Sequence, residues 1–233
     1  MSAVTAEAED VDLAQTSLRE LNSRLHELAD APGPRHWRVR NPGGEHAVAA
    51  GLDAEVEIDI DGHVGYYCAG MNKRATVRVH GMCGVGVAEN IMSGTVVVDG
   101  NASQAAGASG RGGLLVVRGD AAGRCGISMK GVDIVVGGSV GHMSAFMAQK
   151  GRLVVCGDAG DGLGDSLYEA RLYVRGEVAG LGADCVEKEM RAEHEAELAE
   201  LLERAGIAPL DGFRRYGSAR TLYHFHKDNA GAY

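Results

Sequence analysis

Glycine returns at every nineteenth position through the middle of this chain, at Gly62, Gly81, Gly100, Gly119, Gly138, Gly157 and Gly176, with no insertion or deletion across the seven units. A fixed period of this length marks a repeat architecture, and it constrains the fold more than any local propensity does. Two residues before the glycines stand Ile60, Val79, Val98, Val117, Val136, Val155 and Val174. Four before them stand Ile58, Val77, Val96, Leu115, Ile134, Leu153 and Leu172, and three after them Gly65, Gly84, Ser103, Ala122, Gly141, Gly160 and Ala179. Two aliphatic columns and one small column therefore run in step along the repeat.

Aliphatic residues at alternate positions give each unit a short strand with one buried face. Equal spacing of the columns predicts that these strands stack in parallel, like upon like. A 19-residue unit has room for further short strands and bends, but not for a crossover helix at every turn. The expected fold is all-β: a single-stranded parallel β-helix, right-handed, of about seven coils, rising to roughly 34 Å at ~4.8 Å per strand. The glycines suit sharp bends that need positive φ and close backbone approach. Their abundance, 35 of 233 residues, would suggest disorder, but 45% apolar content in strict register argues for a packed core.

A formal charge of −9 with no basic tract makes nucleic acid and anionic membrane surfaces poor partners. No stretch approaches 18 consecutive apolar residues, and the acidic start MSAVTAEAEDVD lacks the pattern of a signal peptide, so a cytoplasmic location is expected. Cys68, Cys83, Cys125, Cys156 and Cys185 are scattered without a CxxC pair. They read as small residues packed among the coils rather than a disulfide framework or a metal site.

Outside the repeat, residues 12–29 place Leu18, Leu21, Leu25 and Leu28 on one helical face, ahead of Pro32-Gly33-Pro34. A second helix is expected from about 185 to 205, with Asp184 and Glu187 as its capping pair and Gly206 as its stop. Its stripe of Val186, Met190, Leu198, Leu201 and Leu202 would cover the open end of the coil stack, with His194 packed on the same face. Residues 213–233 show no clear period, yet hold three tyrosines and two phenylalanines. The chain thus divides into an N-terminal helix and linker (1–34), a glycine-rich β-helix (35–183), a capping helix (184–206) and an aromatic docking tail (207–233).

A polar column follows the repeat glycines: His63, Met82, Asn101, Asp120, Ser139, Asp158 and Glu177. Asp120 and Asp158, two coils apart, would lie about 9.6 Å from one another. That is near the upper limit for an inverting glycosidase pair. With no aromatic platform for a sugar beside them, these side chains read instead as caps on turn amides. A broken cationic column, Lys73, Arg111 and Lys130, reads as a solvated edge. His224 and His226 share a face but lack a third ligand nearby. No residue is assigned a catalytic, cofactor-binding or metal-binding role. The candidate functional surface is a partner interface made of Tyr66, Tyr67, Met71, Lys73 and Arg74, together with Tyr223, Phe225 and Tyr233 in the tail.

The segments GDAAGRCGISMKG (119–131) and GRLVVCGDAGDGLGDSLYEARLYVRG (151–176) resemble the glycine-rich β-helix domain that closes the large subunit of glutamate synthase. The resemblance covers about residues 50–183. As a free-standing chain with GMNKRATVRVHGMCGVGVAENIMSGTVVVDG and the ending LYHFHKDNAGAY, it is more similar still to the small glutamate-synthase-like subunit of N-methylglutamate synthase. That resemblance implies a complex with a glutamine-amidotransferase-like subunit and a flavin-binding, glutamate-synthase-like subunit, together converting methylamine and glutamate into N-methylglutamate and ammonia.

FMN and any iron–sulfur cluster would be held by the partner, and this chain would have no activity alone. The family's amidotransferase cysteine stands at a mature N-terminus, whereas this chain begins MSAVTA. Two other readings are a β-helix scaffold of another enzyme, such as formylmethanofuran dehydrogenase, and an autonomous carbohydrate-active β-helix.

Overall fold

The computed structural model describes residues 8–30, 32, 33 and 35–221. Eleven strands form one sheet: β1 (Glu9–Asp12), β2 (His36–Arg40), β3 (Glu57–Asp61), β4 (Thr76–Val79), β5 (Thr95–Val98), β6 (Leu114–Val117), β7 (Lys130–Val136), β8 (Lys150–Val155), β9 (Arg171–Val174), β10 (Cys185–Lys188) and β11 (Arg214–Ser218). Helix α1 (Leu18–Glu27) follows β1, and α2 (Ala192–Arg204) follows β10. Strands β1 to β9 stack in parallel in chain order, and the chain is a β-solenoid of about seven turns.

The stacking obeys the repeat. Ile58 pairs with Val77, Val77 with Val96, and so on through Leu115, Ile134 and Leu153 to Leu172, all buried in the interior. Each coil adds a single-residue bridge rather than a second full strand, along the column Val64, Cys83, Ala102, Ala121, Val140, Ala159 and Val178. The rest of each turn alternates left-handed residues with ordinary ones, for example Met143, Ala145 and Met147 at φ +55°, +57° and +52°.

Of the two reasons expected for the repeat glycines, close backbone approach is the one that governs Gly81 and Gly176, while Gly62 is also at positive φ. A Cβ on Gly81 would meet the carbonyl oxygen of Gly62 at 2.5 Å, and one on Gly176 would meet that of Gly157 at the same distance. Successive coils touch backbone to backbone along this line, and only a residue without a side chain fits. The left-handed positions, by contrast, accept alanine, serine, methionine and even Tyr67 and Arg124. Their backbone N–H groups bond to the adjacent coil, as Tyr67 to Val85 at 2.8 Å and Ala69 to Val48 at 2.9 Å, and those bonds hold the conformation.

The ends depart from the divisions expected at both termini. Residues 9–12 are not linker but β1, which pairs with β2 through Val11 and Val39. Asp12 then turns the chain, its carboxylate accepting from the Ala14 amide at 2.9 Å, and Ser17 caps α1. Leu21, Leu25 and Leu28 enter the interior core and close the first end of the stack. The Asn22 side chain clamps α1 there, donating to the Ala47 carbonyl at 2.9 Å and accepting from the Ala49 amide at 3.0 Å.

At the other end, residues 185–188 form β10 rather than the start of a helix, and residues 214–218 of the expected tail form β11. Strand β11 pairs antiparallel with both β9 and β10. Cys185 and Tyr216 close the core there. The Asp184 carboxylate does not cap α2. It accepts from the Ser218 hydroxyl at 2.6 Å and the Thr221 amide at 2.8 Å. His194 supplies the helix start instead, its Nδ1 accepting from the Arg191 amide at 3.3 Å, and Gly206 follows the helix at φ +65°.

With both ends closed by other elements, α2 covers a side of the stack and not its open end. Leu198, Leu201, Leu202 and Ala205 pack on the outer sheet face, over Val97, Val116, Val135, Val154 and Tyr173. Buried Asp133 on β7 anchors the helix by accepting from Arg152 at 2.7 Å and Arg204 at 3.1 Å. The Tyr173 hydroxyl donates to Glu197 at 2.6 Å.

Candidate partner interface

Tyr66 sits at an outer corner of its coil, 54% exposed, with its ring stacked on His46 at 3.5 Å between centroids. Its amide donates to His46 Nδ1 at 3.2 Å, which leaves that imidazole's proton on Nε2 and fixes the platform under the tyrosine. Tyr67 is half-buried at φ +61°, and its ring fills the space that a side chain on Gly70 would need. Cys68, Ala69 and Gly70 then turn inward, so Met71 reappears on a separate stretch of surface. Lys73 and Arg74 converge on Asp53, at 2.6 and 2.9 Å, which leaves the trio with one net positive charge. The lowered pKa of Asp53 follows from its hydrogen bond to Lys73 and, after a penalty for burial, that to Arg74.

The five expected surface residues thus form two patches and not one. Each patch grows across the stack through residues that sequence reasoning passed over. Val85, 47% exposed, accepts the Tyr67 amide and extends the Tyr66 corner. Met92, 42% exposed, lies beside Lys73, and its amide donates to the Asn72 carbonyl at 2.8 Å. Met92 also fills the gap in the cationic column. Column comparison could have found both, since Val85 is followed in its column by Gln104, Gly123, His142 and Asp161, and Met92 stands among Lys73, Arg111 and Lys130. Tyr223, Phe225 and Tyr233 lie outside the described residues, as do His224 and His226.

The polar column beside the repeat glycines is spoken for. Asn101 accepts from the Asp120 amide at 2.9 Å, Asp120 from Ser139 at 2.8 Å, Ser139 from Asp158 at 2.9 Å, and Asp158 from Glu177 at 2.8 Å. Each side chain caps the backbone of the next coil, so these carboxylates are structural hydrogen-bond acceptors. The five cysteines are buried, and burial alone pushes the Cys125 thiol to about 12. Burial also lifts Cys185 to about 12, with Asp184 adding to it, so neither thiol is a ready nucleophile.

The outer face not covered by α2 carries a charged ladder across β2 to β6. Asp59 accepts from His36 at 2.9 Å and His80 at 2.7 Å, and His80 reaches Asp99 at 2.7 Å, which also binds Arg118 at 3.2 Å. Burial pulls the His80 imidazole down, but the hydrogen bonds to Asp59 and Asp99 outweigh it and raise its pKa. Among the described residues, no three His, Cys, Asp or Glu side chains converge as metal ligands, and no helix is long and apolar enough to cross a membrane.

Closed ends, a glycine seam and side chains committed to coil stacking define a glycine-rich parallel β-solenoid. Over 225 residues it is 63% identical to Protein GlxC of Rhizobium meliloti (strain 1021), a match covering 96% of this chain and 99% of that protein. The chain belongs to the family of Protein GlxC. No family model matches it, and no solved structure does.

Proposed function

We propose that the chain is a structural subunit of a glutamate-synthase-like complex, of the kind that makes N-methylglutamate. In that reaction methylamine displaces ammonia from glutamate, so that methylamine and glutamate become N-methylglutamate and ammonia. The chain supports assembly with a glutamine-amidotransferase-like subunit and a flavin-binding, glutamate-synthase-like subunit, which carry the nucleophile and the FMN with any iron–sulfur cluster.

The observation that carries this reading is the engagement of the candidate chemical groups. Asp120 and Asp158 cap neighbouring coils, the thiols of Cys125 and Cys185 are raised by burial, and Lys73 and Arg74 are tied to Asp53, while Tyr66, Val85, Met71 and Met92 stay exposed. A side-chain set of that kind suits binding another protein more than turning over a substrate. The glutamate-synthase-like motifs within the repeat point to the class of assembly.

The test is purification of the tagged chain from its native cell. The expected result is co-elution with a flavin-absorbing subunit and an amidotransferase-like subunit, with N-methylglutamate formed by the assembly and not by this chain alone. A colourless chain that elutes without partners, or an isolated chain that is itself active, would refute the proposal.

A further inference from the structure

The same helix that covers the outer sheet face leaves a groove on its far side. Between α2 and residues 206–213 runs an open groove of about 1140 Å³, floored by Met190, Leu202, Ile207, Leu210 and Phe213. Its rim is acidic, with exposed Glu195, Glu203 and Asp211. Glu200 also lines it and is answered by Arg204 at 3.6 Å. Among the described residues, no lysine, arginine or histidine lines the groove, and the other three carboxylates have no ion pair. An apolar trough rimmed by three carboxylates outside any ion pair, with one cation, Arg175, held at the Asp211 carbonyl at 3.1 Å, is complementary to a segment that presents an apolar stripe flanked by cations.

We propose that this groove receives a basic amphipathic segment of another polypeptide in the complex. The inference rests on the subunit reading above and names one contact within it. A second copy of this chain fits poorly, since it brings nine more net negative charges. Residues 222–233 fit poorly as well, because their only lysine, Lys227, is followed directly by Asp228. The incoming segment would place its apolar residues over Leu210 and Phe213 and its cations against Glu195, Glu203 and Asp211.

The experiment places a photo-crosslinking amino acid at Ala199, an exposed lining residue, in the full-length chain in its native cell. The complex is irradiated and purified, and the adduct is sequenced by mass spectrometry. The expected adduct lies on a different subunit, in a stretch combining lysine or arginine with spaced apolar residues. The double substitution Glu195→Lys and Glu203→Lys should cut its yield at least tenfold while lowering the thermal transition of the isolated chain only slightly, since both residues are exposed and only Glu195 lies in the first turn of α2. An adduct on a second copy, on residues 222–233 or on an acidic stretch would overturn the proposal, as would no adduct in a complex that still assembles. If no complex can be purified, the subunit reading itself fails, and that result is separable from a missing cross-link.

Discussion

At the scale of single residues, two kinds of backbone position carry the coil, and they answer differently to substitution. Gly81 faces Gly62 so closely that an added Cβ would meet three backbone atoms within 3.0 Å, none of which can swing aside. Gly81→Ala should therefore cost more than about 2 kcal/mol in urea unfolding, through backbone displacement in two coils. Arg124 is exposed and sits at φ +61°, where a Cβ is strained by roughly 1–2 kcal/mol. Arg124→Gly should leave stability unchanged or raise it slightly, since relief of strain offsets the extra freedom of the unfolded chain. Ala199→Gly, on the exposed face of α2, should lose about 1 kcal/mol and serves as the control. Equal losses at Arg124 and Ala199 would contradict a coil held by left-handed residues.

At the scale of elements, the decisive question is which segments seal the stack. Strand β11 pairs with β9 and β10, and Tyr216 is 2% exposed at its centre, so the sealed end depends on residues 214–218. Truncation after Gly212 should expose the β9 edge and lower the thermal transition sharply. Truncation after Thr221 should leave the transition nearly unchanged in calorimetry while weakening recovery of the complex. The sequence made β3 to β9 legible because their columns repeat at a constant 19. It hid β2, because Trp37 and Ile58 are 21 residues apart, and it hid β1 behind the inserted α1. Strand β11 was hidden because Arg214, Arg215 and Gly217 break any alternation. The seat of α2 was visible in principle: Val97, Val116, Val135, Val154 and Tyr173 lie between the two core columns. Continuous apolar runs of that kind signal strands buried on both faces. The two surface patches were half legible, since Tyr66 and Met71 stand out in the sequence whereas Val85 and Met92 acquire meaning only beside their coil neighbours.

At the scale of the whole molecule, the solenoid is a chain of nearest-neighbour contacts with a helix laid along half of it. Residues 62–80 form one complete unit outside the footprint of α2, which begins at Val97 on β5. Deleting residues 62–80 should join equivalent positions and yield a shorter, cooperatively unfolding protein. Deleting Val135 alone should draw the core residue Val136 into the outward position, remove its pairing with Val117 and Val155, and shift the following turn out of register with the coils on either side. Far-ultraviolet circular dichroism and urea titration distinguish the outcomes, and equal damage from the two deletions would refute the coil register. The left-handed columns have an electrical consequence as well. The amides of Tyr67 and Met71 point forward to the next coil, to Val85 and Glu89, while that of Ala69 points back to Val48. Successive peptide dipoles along the turn oppose one another instead of summing as they do in an α-helix. A rod built this way can be lengthened coil by coil without accumulating a field along its axis, so whatever docks at either end is oriented by strand edges and shape rather than by an axial potential.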